Sequence, residues 1–273
     1  MNYIKHSPLK VIKAVIILAF SLFIFTRSYT QNPWLVSSPN SGGGGIPVHG
    51  NTSAAQDQVV MTATACRDGV IYAWRDNRNG NRDIYAQKIT PCGQVAPGWP
   101  AAGLAICIAS GNQQLPVIMP DDFDGAYIVW EDNRGANTDI YAVRILGNAT
   151  LAGGWGMVNG TPICTAAGNQ NNPVMCSNGG GGVIFAWDDI RSGNRDVFVR
   201  GINANGSLYL AETNLSPVAN TQQNPKICID GTGGAFVTWE DNRAGSLGVD
   251  VYVARDTPSG TAWTGYVCSV AGR

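Results

Sequence analysis

A hairpin sequence that occurs four times is the feature that most constrains how this chain folds. Each copy has a Trp, an Asp two positions later and an Arg two positions after that, then a turn, a second Asp and, two positions on, an aromatic residue. The tryptophans are 56, 57 and 52 residues apart. The copies are Trp74, Asp76, Arg78, Asp83, Tyr85; Trp130, Asp132, Arg134, Asp139, Tyr141; Trp187, Asp189, Arg191, Asp196, Phe198; and Trp239, Asp241, Arg243, Asp250, Tyr252.

Each repeat divides into four short apolar segments separated by Gly, Asp and Asn. In the second copy they are 116–119, 125–130, 139–145 and 161–165. A repeat of about 40–50 residues that carries several short strands is typical of a β-propeller blade, which has four antiparallel strands. The sequence therefore predicts an all-β fold, a β-propeller with four recognisable four-stranded blades.

The number of blades in a closed ring stays open at this point. The fourth-strand pattern also occurs at 45–49, before the first complete repeat. One interpretation is a fragment of a propeller with five or more blades, in which this strand completes a further blade. The alternative is a ring of four blades with one strand left over.

The amino-terminal residues are typical of a secretory signal. Lys5, Lys10 and Lys13 precede an apolar run at 14–25, which is shorter than a membrane span needs, and small residues follow at 28–30. An uncleaved anchor is the alternative, because Arg27 lies close to the expected cleavage site.

Three segments follow from this interpretation. They are a signal peptide at 1–30, a Gly/Ser-rich linker at 31–45 and a β-propeller repeat domain at 46–273. A bacterial Sec-type signal predicts a secreted or cell-surface protein, with no membrane insertion after the signal is cleaved. The formal net charge is −1 and no basic stripe occurs, which argues against nucleic acid as a partner.

Seven cysteines are present, and export would allow them to form disulfides. Cys107 and Cys164 occupy equivalent positions in successive repeats, as do Cys176 and Cys228. Equivalent positions favour buried free thiols in the core of each blade, with one or two disulfides as the alternative. Because the number is odd, at least one thiol has no partner within the chain.

The hairpin register can be derived from the repeat. If Trp74 lies opposite Tyr85, then Asp76 lies opposite Asp83, and the turn is a two-residue type I′ turn at Asn79-Gly80. Two facing carboxylates repel each other, so we expect the repeat Arg to bridge them and staple the hairpin. The alternative is a cation, with calcium at Asp76 and Asp83, because paired carboxylates suit that ion. No other cofactor is predicted.

The pattern Trp-x-Asp-x-Arg, followed by Asp-Ile-Tyr, resembles the repeat of secreted bacterial β-propellers. These are related to TolB-type repeats and to the wider sialidase-like superfamily. The resemblance covers about residues 46–270 and implies a propeller fold, which hosts many unrelated functions. The Asp-box of sialidases, Ser-x-Asp-x-Gly-x-x-Trp, is absent, and so is an evident arginine triad.

No catalytic residue is predicted, because a carboxylate repeated in four blades is more typical of architecture than of catalysis. The first hypothesis is a secreted or cell-surface module that binds a protein or glycan through loops, with Trp99, Trp155 and Trp263 as contacts or, for the first two, as blade-edge core. A propeller-type glycoside hydrolase or lyase is the second, using the unrepeated acids Asp57, Asp68, Glu212 and Asp256. A structural surface-layer or adhesin segment is the third.

Overall fold

The structure of the chain is a computed structural model that describes Val48 and residues 54–155, 159–243 and 248–268. The predicted signal peptide, the linker and His49 lie outside the described residues. Within the part that is described, no helix has the length and apolar character that a membrane crossing needs.

The described residues form strands arranged in four antiparallel sheets, which we call blades 1 to 4. In chain order each blade uses four consecutive strands. The strands are β1 (Gln56–Ala63), β2 (Val70–Asp76), β3 (Asp83–Ile89), β4 (Leu104–Cys107), β5 (Gln113–Pro120), β6 (Ala126–Asp132), β7 (Asp139–Ile145), β8 (Thr161–Cys164), β9 (Gln170–Ser177), β10 (Val183–Asp189), β11 (Asp196–Ile202), β12 (Leu208–Asn214), β13 (Gln222–Ile229), β14 (Ala235–Asp241), β15 (Asp250–Thr257) and β16 (Gly260–Cys268).

The predicted fold class is confirmed: the chain is an all-β protein with four β-propeller blades. The predicted register is also confirmed, since Trp74 pairs with Tyr85 and Asp76 pairs with Asp83. The same pairing occurs in the other three blades. The strand that contains the repeat Trp continues for two residues beyond it. The pairing with the next strand ends only at the two facing aspartates, Asp76 and Asp83 in blade 1.

The predicted type I′ turn at Asn79-Gly80 is wrong. Only Gly80 of this pair has a positive φ, of 92°, and its N–H donates to the Asn77 carbonyl at 3.3 Å. The turn is therefore Asn77–Gly80. Its cause is the Asp76 carboxylate, which accepts the backbone N–H of Arg78 at 2.9 Å and so shapes the chain two residues on.

The hydrophobic core lies between successive blades. We call the side of a blade that carries the repeat Trp its leading face, and the opposite side its trailing face. The trailing face of blade 1, with Ile71 and Ile84, packs against the leading face of blade 2, with Ile128 and Trp130. The same join connects blade 2 to blade 3 and blade 3 to blade 4. Fully burying such a side chain contributes roughly 1.5–3 kcal/mol.

The first strand of each blade contains a register shift at the same place. The residue at the shift has a positive φ in every blade: 50° at Gln58, 51° at Leu115, 53° at Asn172 and 56° at Asn224. In blades 2 to 4 the N–H of this residue donates to a side chain of the preceding blade. The shift therefore joins one blade to the next.

The blades follow one another as an arc. Extensive contacts join each blade to the next in sequence, above all between the first strands β1, β5, β9 and β13. Among the described strands, no contact of comparable size joins blade 4 to blade 1. The leading face of blade 1 and the trailing face of blade 4 therefore end the arc.

Six described cysteines are free thiols, and three of them are buried: Cys107, Cys164 and Cys176. Burial raises the pKa of each of these three thiols to about 12. Cys228 was expected to be buried like its repeat equivalent Cys176, but it is exposed. It lies on the trailing face of blade 4, which no described blade covers.

Candidate functional site

Each repeat hairpin folds into the same cluster around its first aspartate. In blade 2 the indole N–H of Trp130 donates to Asp132 Oδ2 at 2.8 Å. The backbone N–H of Arg134 donates to Oδ1 at 3.0 Å, and its Nη2 donates to Oδ2 at 2.6 Å. The guanidinium lies over the ring of Tyr141, 3.8 Å from the centroid. Such a charged, hydrogen-bonded pair fixes the end of a hairpin.

The second aspartate of the hairpin is held by other side chains. Asp83 accepts hydrogen bonds from Asn79 Nδ2 at 2.6 Å and from Asn81 Nδ2 at 3.0 Å. The expected bridge from the Arg to both carboxylates is therefore not the observed arrangement. Arg78 donates hydrogen bonds to the first aspartate, Asp76. The side-chain amides of Asn79 and Asn81, in and beside the turn, donate to the second, Asp83. The sequence did not reveal them because the predicted two-residue turn at Asn79-Gly80 would pair Arg78 with Asn81 and so extend the strands past the two aspartates.

The two aspartates respond differently to the same burial. Burial acts to raise the pKa of Asp76, but hydrogen bonds from Arg78 and Trp74 outweigh it, and the pKa is lowered. At Asp83 burial outweighs the bonds from Asn79 and Asn81, and the pKa is raised. Carboxylates with opposite shifts are what acid–base catalysis needs. Both side chains are fully buried, however, so a substrate cannot reach them.

The clusters differ in what covers them. In blades 1 and 2 the connection between the third and fourth strands is long, and its described residues, 90–103 in blade 1 and 146–155 with 159–160 in blade 2, include those that lie over the cluster. The guanidinium of Arg78 donates to the Ala102 carbonyl at 2.7 Å, and that of Arg134 to the Asn159 carbonyl at 2.7 Å. Gly160 has a φ of 92° and lies so close to Trp130 that a Cβ there would be 2.4 Å from the indole. The connection therefore closes these two clusters.

In blades 3 and 4 the equivalent connection is short, at 203–207 and 258–259, and a groove remains. In blade 3 a groove of about 420 Å³ lies beside residues 162–166. Glu212 lines it, and its Oε1 accepts a hydrogen bond from Arg191 Nη1 at 2.5 Å. This ion pair occupies the outer edge of the Arg191 guanidinium.

The blade 4 groove is larger and less obstructed. Its volume is about 600 Å³. Arg243 holds Asp241 through Nε and Nη2 and stacks on Tyr252, 3.6 Å from the ring centroid. Its Nη1 has no hydrogen-bond partner among the described residues. The lining residues are Asn214, Leu215, Ser216, Pro217, Val218, Trp239, Arg243, Tyr252, Thr261, Thr264 and Gly265.

The electrostatics of the blade 4 groove are simple. Among the described residues that line the groove, Arg243 alone is charged, and the fully buried Asp241 carboxylate balances its charge. Burial acts to raise the pKa of Asp241, but the bonds from Arg243 and Trp239 prevail and lower it. The groove thus offers the Arg243 guanidinium and the Thr264 hydroxyl group beside an aromatic and aliphatic wall.

Of the three tryptophans expected as ligand contacts or core, two belong to the core. Trp99 and Trp155 are buried, and their indole N–H groups donate to the Gly147 and Ala204 carbonyls. Trp263 is 45% exposed and packs beside Phe236 on the trailing face of blade 4. Only Trp263 is therefore available to a partner.

The unrepeated acids proposed for catalysis do not share a partner. Asp57 and Asp68 lie in blade 1, Glu212 in blade 3 and Asp256 in blade 4. Their hydrogen-bond partners are respectively Arg75, Lys88, Arg191 and Thr261. Four acids spread over three blades in this way do not form the facing pair that glycoside hydrolysis uses.

A cation at Asp76 and Asp83 would have to replace hydrogen bonds that these carboxylates already accept. Among the residues that the structure describes, no group of three or more His, Cys, Asp or Glu side chains is placed to hold a metal ion. Oxygens of both carboxylates already accept hydrogen bonds from protein groups, which are Trp74, Arg78, Asn79 and Asn81.

No protein-family model matches the chain, and no curated protein matches its sequence. Among solved structures, a TolB-like protein from Agrobacterium tumefaciens is similar at 15% identity and a TM-score of 0.40. The match covers 72% of this chain and 62% of that one, so the chain spans less than two thirds of its length.

Two further solved structures show similar resemblance. A protein of unknown function from Dyadobacter fermentans has 11% identity and a TM-score of 0.48, over 80% of this chain and 71% of that one. An endo-arabinase from Bacteroides thetaiotaomicron has 13% identity and a TM-score of 0.45, over 77% of this chain and 78% of that one. The chain is assigned to the β-propeller class because of its own four four-stranded blades.

Proposed function

We propose that the chain is an exported binding module that holds a saccharide in the blade 4 groove. The proposal rests on one observation: of the four equivalent clusters, the one in blade 4 has the larger open groove, and Arg243 Nη1 beside it has no hydrogen-bond partner among the described residues. Export is a prediction from residues 1–30 and is part of the proposal.

The groove favours a saccharide by the chemistry of its lining. Sugar hydroxyl groups both donate and accept hydrogen bonds, which matches the exposed hydroxyl group of Thr264 and the guanidinium of Arg243. The amide of Asn214 already donates to Asp196, and the buried hydroxyl group of Ser216 already accepts from the Val197 N–H, so these two residues shape the groove. The apolar faces of sugar rings suit a wall that includes Leu215 and Tyr252. A few polar groups set in an apolar cleft are typical of small-ligand sites.

The size of the groove favours a small ligand over a protein surface. Small-molecule sites usually occupy about 300–1,000 Å³, and the blade 4 groove, at about 600 Å³, falls in this range. A specific protein partner would instead cover about 800 Å² of surface.

A glycan microarray with the full chain, followed by titration calorimetry on any ligand found, tests the proposal. Thr264→Trp is the blocking variant, because Thr264 is exposed and lines the groove, and an indole there fills it. Ser259→Trp is the matched control, on the exposed turn of the same blade. We expect Thr264→Trp to weaken binding at least about tenfold and Ser259→Trp to leave it unchanged.

Three outcomes would overturn the proposal. One is the absence of saturable binding to any saccharide. Another is binding that Thr264→Trp leaves intact, which would place the ligand elsewhere. The third is cleavage of the bound glycan, detected by mass spectrometry of recovered ligand, which would favour a glycoside hydrolase or lyase instead.

A further inference from the structure

The trailing face of blade 4 and the leading face of blade 1, which end the arc, correspond to the two surfaces that meet at each contact between successive blades. Every internal join places the trailing face of one blade on the leading face of the next. Blade 4 presents a trailing face and blade 1 a leading face that no described blade covers. In repeat proteins, each unit is shaped to contact its neighbours, and an end without a neighbour needs a cap.

The trailing face of blade 4 exposes apolar side chains that its equivalents bury. Val251 is 41% exposed, whereas the residues at the same position in blades 1 to 3, Ile84, Ile140 and Val197, are all 0% exposed. Phe236 is partly exposed, and its equivalent Ile184 is buried. The face therefore has the composition of a join without the blade that would complete it.

The leading face of blade 1 shows the matching deficit. Met61 is 67% exposed, yet its equivalents Ile118, Met175 and Ile227 each pack into an inter-blade core. Val59 beside it is also exposed, while the prolines at its position in the other blades are buried.

A hydrogen bond that links successive blades has its acceptor at the exposed face of blade 4 and its donor at the exposed face of blade 1. In blade 2, Glu131 accepts a hydrogen bond from Gln114 of its own blade and from the backbone N–H of Asn172 in blade 3, at 2.9 Å. In blade 4, Glu240 accepts from Gln223 in the same way but is exposed. The donor that corresponds to Asn172 in blade 1 is Gln58, with the same backbone conformation.

We propose that a second copy of this chain docks head to tail, with the trailing face of blade 4 against the leading face of blade 1 of its neighbour. Met61 then enters the apolar patch around Val251, and the Gln58 N–H donates to Glu240. The contact continues the three joins already present within the chain. It is a heterologous contact, which forms a ring when its rotation closes. The four described blades of each of two copies give eight, within the range of about four to eight for closed propellers.

Analytical ultracentrifugation of the full chain over a range of concentrations tests this proposal. The chain is expressed with its amino-terminal segment, so that any processing takes place. Met61→Glu and Val251→Glu each place an unpaired charge in the contact, which is costly to bury. We expect each to weaken self-association at least about tenfold. Leu208→Glu is the control, since Leu208 is exposed on the outer strand of blade 3, away from both faces.

Mixing the two variants gives the sharpest result. Met61→Glu keeps an intact trailing face and Val251→Glu keeps an intact leading face, so a one-to-one mixture still forms one contact. We expect a dimer in the mixture and monomers in each variant alone. A dimer that both variants preserve would overturn the proposal.

A chain that is monomeric at every concentration would also overturn it. In that case, the rate at which hydroxyl radicals oxidise Met61 shows whether another part of the chain covers the leading face of blade 1. Protection of Met61 in a monomer would show that another part of the chain lies there, and rapid oxidation would show that the face stays open.

Discussion

Blades 2 and 4 contain the same hairpin in very different surroundings. Both faces of blade 2 pack against other blades, and residues 159–160, just before β8, close its cluster, with the Asn159 carbonyl accepting a hydrogen bond from Arg134. In blade 4 only the leading face is packed, and the groove beside Arg243 is open. The carboxylates of Asp132 and Asp241 are nevertheless equally buried.

This difference separates the role of the repeat from the role of its surroundings. The cluster of Trp, Asp and Arg forms in both blades with nearly the same distances, so it is a structural unit of the hairpin. Access to the cluster depends on the length of the connection from the third strand to the fourth. The proposed binding site therefore lies where the repeat is least complete.

The largest expected effect is the loss of the first aspartate in the enclosed blade. Asp132→Ala leaves the Trp130 indole N–H, the Arg134 backbone N–H and the guanidinium without their acceptor. Breaking a buried pair in this way costs about 3–5 kcal/mol. We expect that decrease in the free energy of unfolding, measured by urea denaturation followed by tryptophan fluorescence.

Asp241→Ala is the matched change in the open blade. The Arg243 side chain is 34% exposed, compared with 22% for Arg134, so water reaches more of the guanidinium left behind. We expect a loss of about 1–3 kcal/mol, the cost of leaving buried polar groups unsatisfied. Equal losses in the two variants would contradict the view that the surroundings of the two clusters differ in energy.

An effect smaller than that of Asp132→Ala is expected where the connection closes the cluster of blade 2. Gly160→Ala places a Cβ 2.4 Å from the Trp130 indole at a φ of 92°, so both overpacking and backbone strain oppose it. We expect a loss of about 2–4 kcal/mol, combining roughly 1–3 for overpacking with about 1 for the left-handed conformation. Thermal unfolding, with Tm converted to free energy, measures it.

Gly193→Ala controls for strain alone. Gly193 has a φ of 95° and no atom within 4 Å of where a Cβ would lie. The expected loss is therefore only about 1 kcal/mol, from the left-handed backbone. If both variants lose the same amount, the contact between Gly160 and Trp130 does not hold the connection closed.

Repetition made the fold predictable from the sequence. The third strand of blade 2 was placed at 139–145, as the structure has it, because the facing aspartates mark where the ladder begins. The pairing of Trp74 with Tyr85 follows from the same symmetry. Because the same pattern occurs four times, one strand register must bury the Trp in every copy, and few registers do so.

The candidate site could not be predicted because it depends on what departs from the repeat. Strand β12 has seven residues where the fourth strands of blades 1 and 2 have four, and its last residue, Asn214, lines the groove. The short connection before β16 likewise leaves Thr261 and Thr264 in the lining. The shorter connections in blades 3 and 4 were the available signal, but only the structure shows that the long ones cover a cluster.

The smallest expected effect concerns a cation in blade 1, whose turn sequence from Asp76 to Asn81 faintly resembles a calcium loop. We expect a chelator to leave the Tm unchanged, because Arg78 and Trp74 already hold Asp76, and Asn79 and Asn81 hold Asp83. A cation that bound only the folded chain would raise the Tm progressively as its concentration increased. Scanning calorimetry in chelator and in added calcium distinguishes the two cases. A Tm that falls in chelator and recovers with calcium would show that an ion displaces the asparagine amides at Asp83.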